Sequence, residues 1–176
     1  DFTTRGKRTD EILGALQALW TQDTPEFSGA FYRYSGLKFS PKPLQKPYPP
    51  LLIGGSSAAA HARVARFGDG WHTLRQSPRQ FAAGREKISA LAEAAGRNPS
   101  SLHYSLALPL KFTTKAPSAP LQDRTALTGT EDDIADTIRA YDAAGVDELV
   151  VGVSSADVGE NTDALSRLMQ QVWPKL

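Results

Sequence analysis

The sequence predicts an α/β protein built around a parallel sheet. Short apolar runs alternate with amphipathic helical stretches from Leu51 onward, and glycines and prolines mark nearly every junction between them. The last apolar run, Asp147–Val153, is almost continuous, which suits a strand buried on both faces.

Each element has a local reason. Thr9 is placed to cap a first helix whose apolar positions Ile12, Leu13, Leu16, Leu19 and Trp20 follow helical spacing. The connection from Asp23 to Pro50 carries Pro41, Pro43, Pro47, Pro49 and Pro50, which exclude both a helix interior and a central strand. Its aromatics Phe27, Phe31, Tyr32, Tyr34 and Phe39 predict an ordered loop stapled to the sheet-and-helix body. Leu51–Ile53 reads as a strand and Ala58–Phe67 as a helix closed by Gly68. Gly70–Leu74 is a second strand, and Ser77-Pro78-Arg79-Gln80 combines a capping box with proline at the first helical position. The helix it opens buries Phe81, Ile88, Leu91 and Ala95 and ends at Gly96. Leu102–Phe112 is a strand made irregular by Pro109, and Lys115–Thr128 is a second loop. Thr130 caps a helix bearing Ile134, Ile138 and Tyr141, closed by Gly145 before the strand Asp147–Val153. Leu165, Leu168, Met169 and Val172 mark a final amphipathic helix.

Composition narrows the function classes. The 176 residues carry 20 Lys+Arg against 19 Asp+Glu, without a basic patch interleaved with aromatics, so nucleic acid is not the expected partner. No apolar run approaches the roughly 20 residues that span a bilayer, so no membrane partner is expected either. The chain has no cysteine, which removes disulfides, thiolate metal sites and cysteine nucleophiles and fits a cytoplasmic setting. At this length one domain with a real core is expected.

The richest local signal is Pro49-Pro50-Leu51-Leu52-Ile53-Gly54-Gly55-Ser56-Ser57. A strand runs into Gly-Gly-Ser-Ser and then a helix, so close backbone approach coincides with unsatisfied N–H groups of partial positive charge. Gly54, Gly55, Ser56 and Ser57 are therefore candidate phosphate ligands, against the alternative of a plain strand-to-helix turn. Trp71, His72 and Arg75 lie at the end of the next strand and are candidate cofactor contacts, with core filling the competing role for Trp71. His61 and His103 have no second histidine or carboxylate at ligand spacing, so no metal is assigned. Asp10-Glu11 and Glu131-Asp132-Asp133 read as solvated helix caps.

The order of these motifs resembles the C-terminal half of the bacterial luciferase-like monooxygenases, which include flavin- and coenzyme F420-dependent oxidoreductases. The resemblance rests on Arg8-Thr9-Asp10-Glu11, Phe27-Ser28-Gly29, Pro-Pro-Leu-Leu-Ile-Gly-Gly-Ser, Gly68-Asp69-Gly70-Trp71, Gly96-Arg97-Asn98-Pro99 and Ala144-Gly145-Val146-Asp147. It implies the C-terminal half of a (β/α)8 TIM barrel, with parallel strands five to eight flanked by helices and preceded by the fourth helix. Residues 1–176 would form one incomplete luciferase-like domain. Its first four units would belong to a longer parent chain or another subunit, so homo-oligomerisation or association with that half is expected.

The implied cofactor is F420 or FMN, acting with a small-molecule substrate. Its phosphate would rest on Gly54, Gly55, Ser56 and Ser57, with Trp71, His72 and Arg75 beside it. Arg66 to His72, followed by Ser77-Pro78, leans toward the F420-dependent branch. Catalytic polar residues of this family usually come from the first four units, so none is assigned here. The rival readings are a non-catalytic half-barrel binding module and an unrelated barrel enzyme acting on a sugar phosphate.

Overall fold

The computed structural model describes residues 1–176. Helix α1 (Arg5–Thr21) leads into a small antiparallel ribbon, β1 (Phe27–Ser28) with β2 (Arg33–Tyr34). There follow β3 (Leu52–Gly54), α2 (Ala58–Phe67), β4 (Gly70–Leu74), α3 (Pro78–Ala94) and β5 (His103–Phe112). The chain closes with β6 (Leu127–Gly129), α4 (Glu131–Ala143), β7 (Glu148–Gly152) and α5 (Val158–Arg167), the last running into a π-helical turn at Leu168–Val172. No helix is long and apolar enough to cross a membrane.

Strands β3, β4, β5 and β7 are parallel neighbours in that order. The additional strand β6 pairs in parallel with the far end of β5, Leu110 opposite Leu127. It falls where the sequence suggests only loop, because three residues among prolines and serines carry too little periodicity to be seen locally.

Side chains alternate across the sheet. One face carries Ile53, Trp71, Thr73, Tyr104, Leu106 and Leu108, all buried under the helices. The register puts Leu52, His72, Leu74, Ser105, Ala107, Glu148 and Val150 on the other face, which no helix covers. Leu52, Leu74 and Val150 are exposed there by 41%, 63% and 43%. The strand at Asp147–Val153 is correspondingly not buried on both faces. It lies at an edge of the sheet, and its residues alternate between exposed and half-buried.

Two of the helix starts follow the sequence closely. Ser77 and Gln80 form a reciprocal capping box with Pro78 in the first turn, and Thr130 does the same with Asp133. Helix α1 departs from it. It begins at Arg5, and Thr9 sits inside it with its hydroxyl donating to the Arg5 carbonyl at 2.8 Å. An earlier turn at Phe2–Thr4, opened by the Asp1 side chain, feeds the helix and displaces Thr9 from the cap.

Asp10 and Glu11 are not solvated caps. Asp10 pairs with Arg63 of α2 at 2.5 Å. The Glu11 carboxylate accepts from the backbone N–H groups of Ala30, Phe31 and Tyr32 at 2.9, 2.9 and 3.1 Å. The proline-rich loop is thereby fastened to α1 rather than to the sheet. Tyr34 Oη donates to the Ala15 carbonyl at 2.6 Å, and Lys42 Nζ reaches the Leu19 and Gln22 carbonyls at the helix end.

Two aspartates pin the starts of strands. Asp69 accepts the Leu51 N–H at 2.9 Å, and Asp147 accepts the Tyr104 N–H at 2.8 Å. Arg97 forks onto the Val64, Ala65 and Gly68 carbonyls and so caps the C-terminus of α2.

Although desolvation raises the Glu11 pKa, the three backbone hydrogen bonds outweigh it and hold the carboxyl below its ordinary 4.5. A lowered folded-state pKa stabilises the fold above the unfolded value, and that stability is lost as pH falls through the folded value. Glu11→Gln should therefore lower Tm near neutral pH, with the gap from wild type closing as pH falls below 4.5. Thermal melts across that range check this; a constant gap would remove the carboxylate's role.

Candidate functional site

At the C-terminal end of β3 the chain turns through Gly55, Ser56 and Ser57 into α2. Gly55 has φ 104°, a conformation that side chains disfavour, and a Cβ there would meet the Ala60 Cβ at 3.3 Å. Ser57 is the N-cap, its hydroxyl accepting the Ala60 N–H at 3.2 Å. The indole Nε1–H of Trp71 donates to the Gly55 carbonyl at 2.6 Å. A trans peptide is planar with N–H opposed to C=O, so anchoring that carbonyl aims the Ser56 N–H the other way. Ser57, Ala58 and Ala59 are exposed, and their N–H groups precede the first helical acceptors. The result is a cluster of outward donors at the positive end of a helix, suited to a phosphate oxygen.

Trp71 supports this turn from behind. It is fully buried on the helix-covered face, stacked on Phe81 with centroids 5.0 Å apart, and meets the His61 ring edge-on at 5.2 Å. Gly84 of α3 makes room for it, since a Cβ there would lie 2.5 Å from the indole. Of the two roles the sequence leaves open for Trp71, core filling is what the packing shows. His61 is buried beside it, and its Nε2 has no hydrogen-bond partner.

The open face carries a polar row. Gly54, His72, Ser105 and Glu148 are successive partners across the strands, so they lie at one height. His72 Nδ1 and Ser105 Oγ are 3.0 Å apart, and His103 Nε2 lies 3.1 Å from Glu148 Oε2. The hydrogen bond from His103 holds the Glu148 carboxyl below its usual range. Arg75 follows at the C-terminal end of β4 with φ 50°, its backbone N–H donating to the Ala107 carbonyl at 3.1 Å and its side chain exposed.

The structure thus brings Gly54–Ser57 and His72 together on adjacent strands, puts Arg75 at the strand end, and sets Trp71 beneath. Ser105 and Glu148 are additions that the sequence reading misses. Each is a polar residue at the alternate strand positions that face the bare side of the sheet, and that is the signal they carry. Also missed is a cavity of about 690 Å3 at the C-terminal ends of β5 and β7, lined in part by Lys111, Thr128, Ser154, Ser155, Asn161 and Arg167. Asn161 pins Ser155 there through both its backbone N–H and C=O, each at 3.0 Å.

Parallel strands alternating with helices that cover one face of the sheet define a parallel α/β fold. The chain belongs to the luciferase-like monooxygenase family, whose family model matches residues 1–119. An FMNH2-dependent dimethylsulfone monooxygenase of Pseudomonas putida is 40% identical over 92 residues, 52% of this chain and 25% of that protein. An uncharacterized protein of Mycobacterium bovis is 37% identical over 103 residues, 58% of this chain and 35% of its own length.

Among solved structures, the monooxygenase RslO1 of Streptomyces bottropensis superposes with TM-score 0.83 at 18% identity, covering 99% of this chain and 63% of that one. An F420-dependent secondary alcohol dehydrogenase, solved with an F420-acetone adduct, gives 0.78 at 16% identity over 97% and 62% of the two chains. These likenesses show the fold, and in each the chain spans less than two thirds of its relative.

Burial, reinforced by Lys87, pushes the His61 pKa below its ordinary 6.5. The unfolded chain then binds more protons between the two values, so stability falls as pH drops below 6.5 toward the folded value. His61→Phe keeps an aromatic ring against Trp71 and should flatten this dependence. Denaturant midpoints across mildly acidic pH measure the slope, and an unchanged slope would assign the acid sensitivity to another group.

Proposed function

We propose that this chain is part of an oxidoreductase that works with reduced FMN or F420 on a small organic substrate, and that the turn Gly54–Ser57 holds the cofactor's phosphate. Family membership supports the reaction class. The observation that carries the assignment is the Gly55 carbonyl locked by Trp71, which turns the Ser56 N–H away from the core beside the exposed first-turn residues Ser57, Ala58 and Ala59. These residues fit the phosphate that FMN and F420 share. When bound, the reduced cofactor supplies electrons for reducing the substrate or for activating oxygen. The chain's own contribution is to bind and orient: backbone N–H groups and the Ser56 hydroxyl donate to phosphate oxygens. Arg75 adds a positive charge for a phosphate or for the acidic tail of a deazaflavin.

The same reading makes residues 1–176 one incomplete luciferase-like domain. The bare face of the sheet and its free edges at β3 and β7 are those of a barrel completed by four further strand–helix units, from the parent chain or another subunit. Parallel sheets are ordinarily covered on both faces, and exposed Leu52, Leu74 and Val150 call for such cover here.

Gly55→Val adds a branched side chain to a backbone at φ 104°, where the phosphate has to approach. In the full-length gene product it should weaken FMN or F420 binding about 10- to 100-fold, the loss of one or two charge-assisted hydrogen bonds. Riboflavin, which lacks the phosphate, should be affected far less. Fluorescence titration with the three ligands tests this. Unchanged FMN and F420 affinity, or an equal loss for riboflavin, would make the turn purely structural.

A further inference from the structure

We infer that His61, in its neutral form, is a positioning residue for the phosphate-binding turn: it holds Trp71 in the place from which the indole fixes the Gly55 carbonyl, and protonation releases that hold. Cofactor affinity then falls in mild acid. The coupling passes through contacts already in the core. The His61 and Trp71 rings meet nearly perpendicular, at 87°, with centroids 5.2 Å apart. Phe81 stacks on Trp71 at 5.0 Å, and Gly84 leaves room for the six-membered ring of the indole. The Nε1–H then reaches the Gly55 carbonyl at 2.6 Å. The imidazole is thus one wall of the slot that aims the indole.

Only the neutral ring suits that place. His61 is 7% exposed, and its Nε2 is buried without a hydrogen-bond partner. Neutral imidazole carries one N–H and one bare nitrogen, whereas both nitrogens of the charged ring are donors. Protonation would bury a charged N–H at Nε2 with nothing to accept it, which is costly in a protein interior.

The groups around the ring do not offset that charge. The His61 backbone N–H donates to the Ser57 carbonyl at 3.0 Å, which places the residue at the positive end of α2. Helix α3 contributes the Lys87 ammonium, a like charge. On α1, the Asp10 carboxylate is taken by Arg63 of α2, and that of Glu11 by the loop amides. Arg66, on α2 itself, lies over the Phe67 ring, and β3 and β4 meet α2 with the uncharged Ile53 and Trp71. A charged His61 ring therefore gains its hydration by swinging out of the core. That takes the wall away from Trp71 and lets the Gly55 peptide turn, so the Ser56 amide is no longer held toward the ligand. The effect on the cofactor rests on Gly54–Ser57 being the phosphate site; the coupling from His61 to the indole does not.

Binding of FMN, F420 and riboflavin to the full-length gene product between about pH 8 and about pH 5 tests the inference. A phosphomonoester takes up a proton of its own near pH ~6, so the reference is His61→Phe, which shares every other titrating group but cannot ionise at this position. Wild-type affinity for FMN and F420 should fall about tenfold further in acid than that of the variant, the loss of one hydrogen bond to phosphate, with no such difference for riboflavin. His61→Gln, equally unable to ionise, should give the same shallow profile and replaces His61→Phe if the larger ring disturbs the fold. Parallel profiles in wild type and variants overturn the inference, as does an equal extra loss for riboflavin. Tighter binding in acid, the sign of an imidazolium drawn onto the indole face, overturns it as well.

Water exchange of the Trp71 indole N–H, assigned with Trp71→Phe and normalised to exposed Trp173, reads the anchor without any cofactor. On acidification it should speed up in the wild type and stay slow in His61→Phe; equal protection in both proteins overturns the coupling. A wild-type protein that binds neither FMN nor F420 defeats the phosphate reading instead, and the exchange measurement still decides the role of His61.

Discussion

The hydrogen bond from Trp71 to the Gly55 carbonyl joins the protein's core to its candidate chemistry. The indole is fully buried between the sheet and α2–α3, stacked on Phe81 and admitted by the missing side chain of Gly84. Truncating such a ring costs about 3–5 kcal/mol in a well-packed core. Its one polar atom reaches out of that core to fix a single peptide plane. Core packing therefore sets the direction in which the Ser56 amide points. A turn held only by its own sequence would sample several orientations, whereas this one inherits the rigidity of the interior.

The backbone fasteners and the candidate site's glycine turn occupy opposite ends of the sheet. At the N-terminal ends of the strands, Asp69 and Asp147 bind the backbone N–H groups of Leu51 and Tyr104, and Arg97 gathers the carbonyls that close α2. These residues belong to the Gly-Asp-Gly-Trp, Gly-Arg-Asn-Pro and Gly-Val-Asp motifs, and the structure accounts for them as fasteners. At the C-terminal ends stand the Gly54–Ser57 turn, Arg75 in its left-handed conformation and the cavity between β5 and β7. That division is the usual one in barrel enzymes, where loops at the C-terminal face carry the site and the opposite face carries stability.

Much of the fold was legible because its signals are local. The Ser77 and Thr130 capping boxes, the apolar runs at β3, β4 and β5, and the spacing of Ile134, Ile138 and Tyr141 each need only a few neighbouring residues to read. Errors arose where a residue's partner lies far along the chain. Glu11 reads as a solvated cap until Ala30, Phe31 and Tyr32 are folded back onto it; Thr9, by contrast, loses the cap to a turn only a few residues upstream. The proline-rich loop was recognisable as ordered, but its anchor, α1 rather than the sheet, depends on contacts such as Tyr34 with Ala15.

The candidate site divides in the same way. By itself the sequence determined the alternation of strand and helix, the glycine turn before a helix, and the fact that Trp71 and His72 point in opposite directions, since successive strand residues must. Only the tertiary structure decided which of the two is inside. Helices α2 and α3 cover one face of the sheet, and that cover makes Trp71 a core residue and leaves His72 on the bare side beside Ser105 and Glu148. A two-residue period carries no information about which face is covered. That choice follows from packing between segments tens of residues apart, where the burial of large side chains outweighs any local preference.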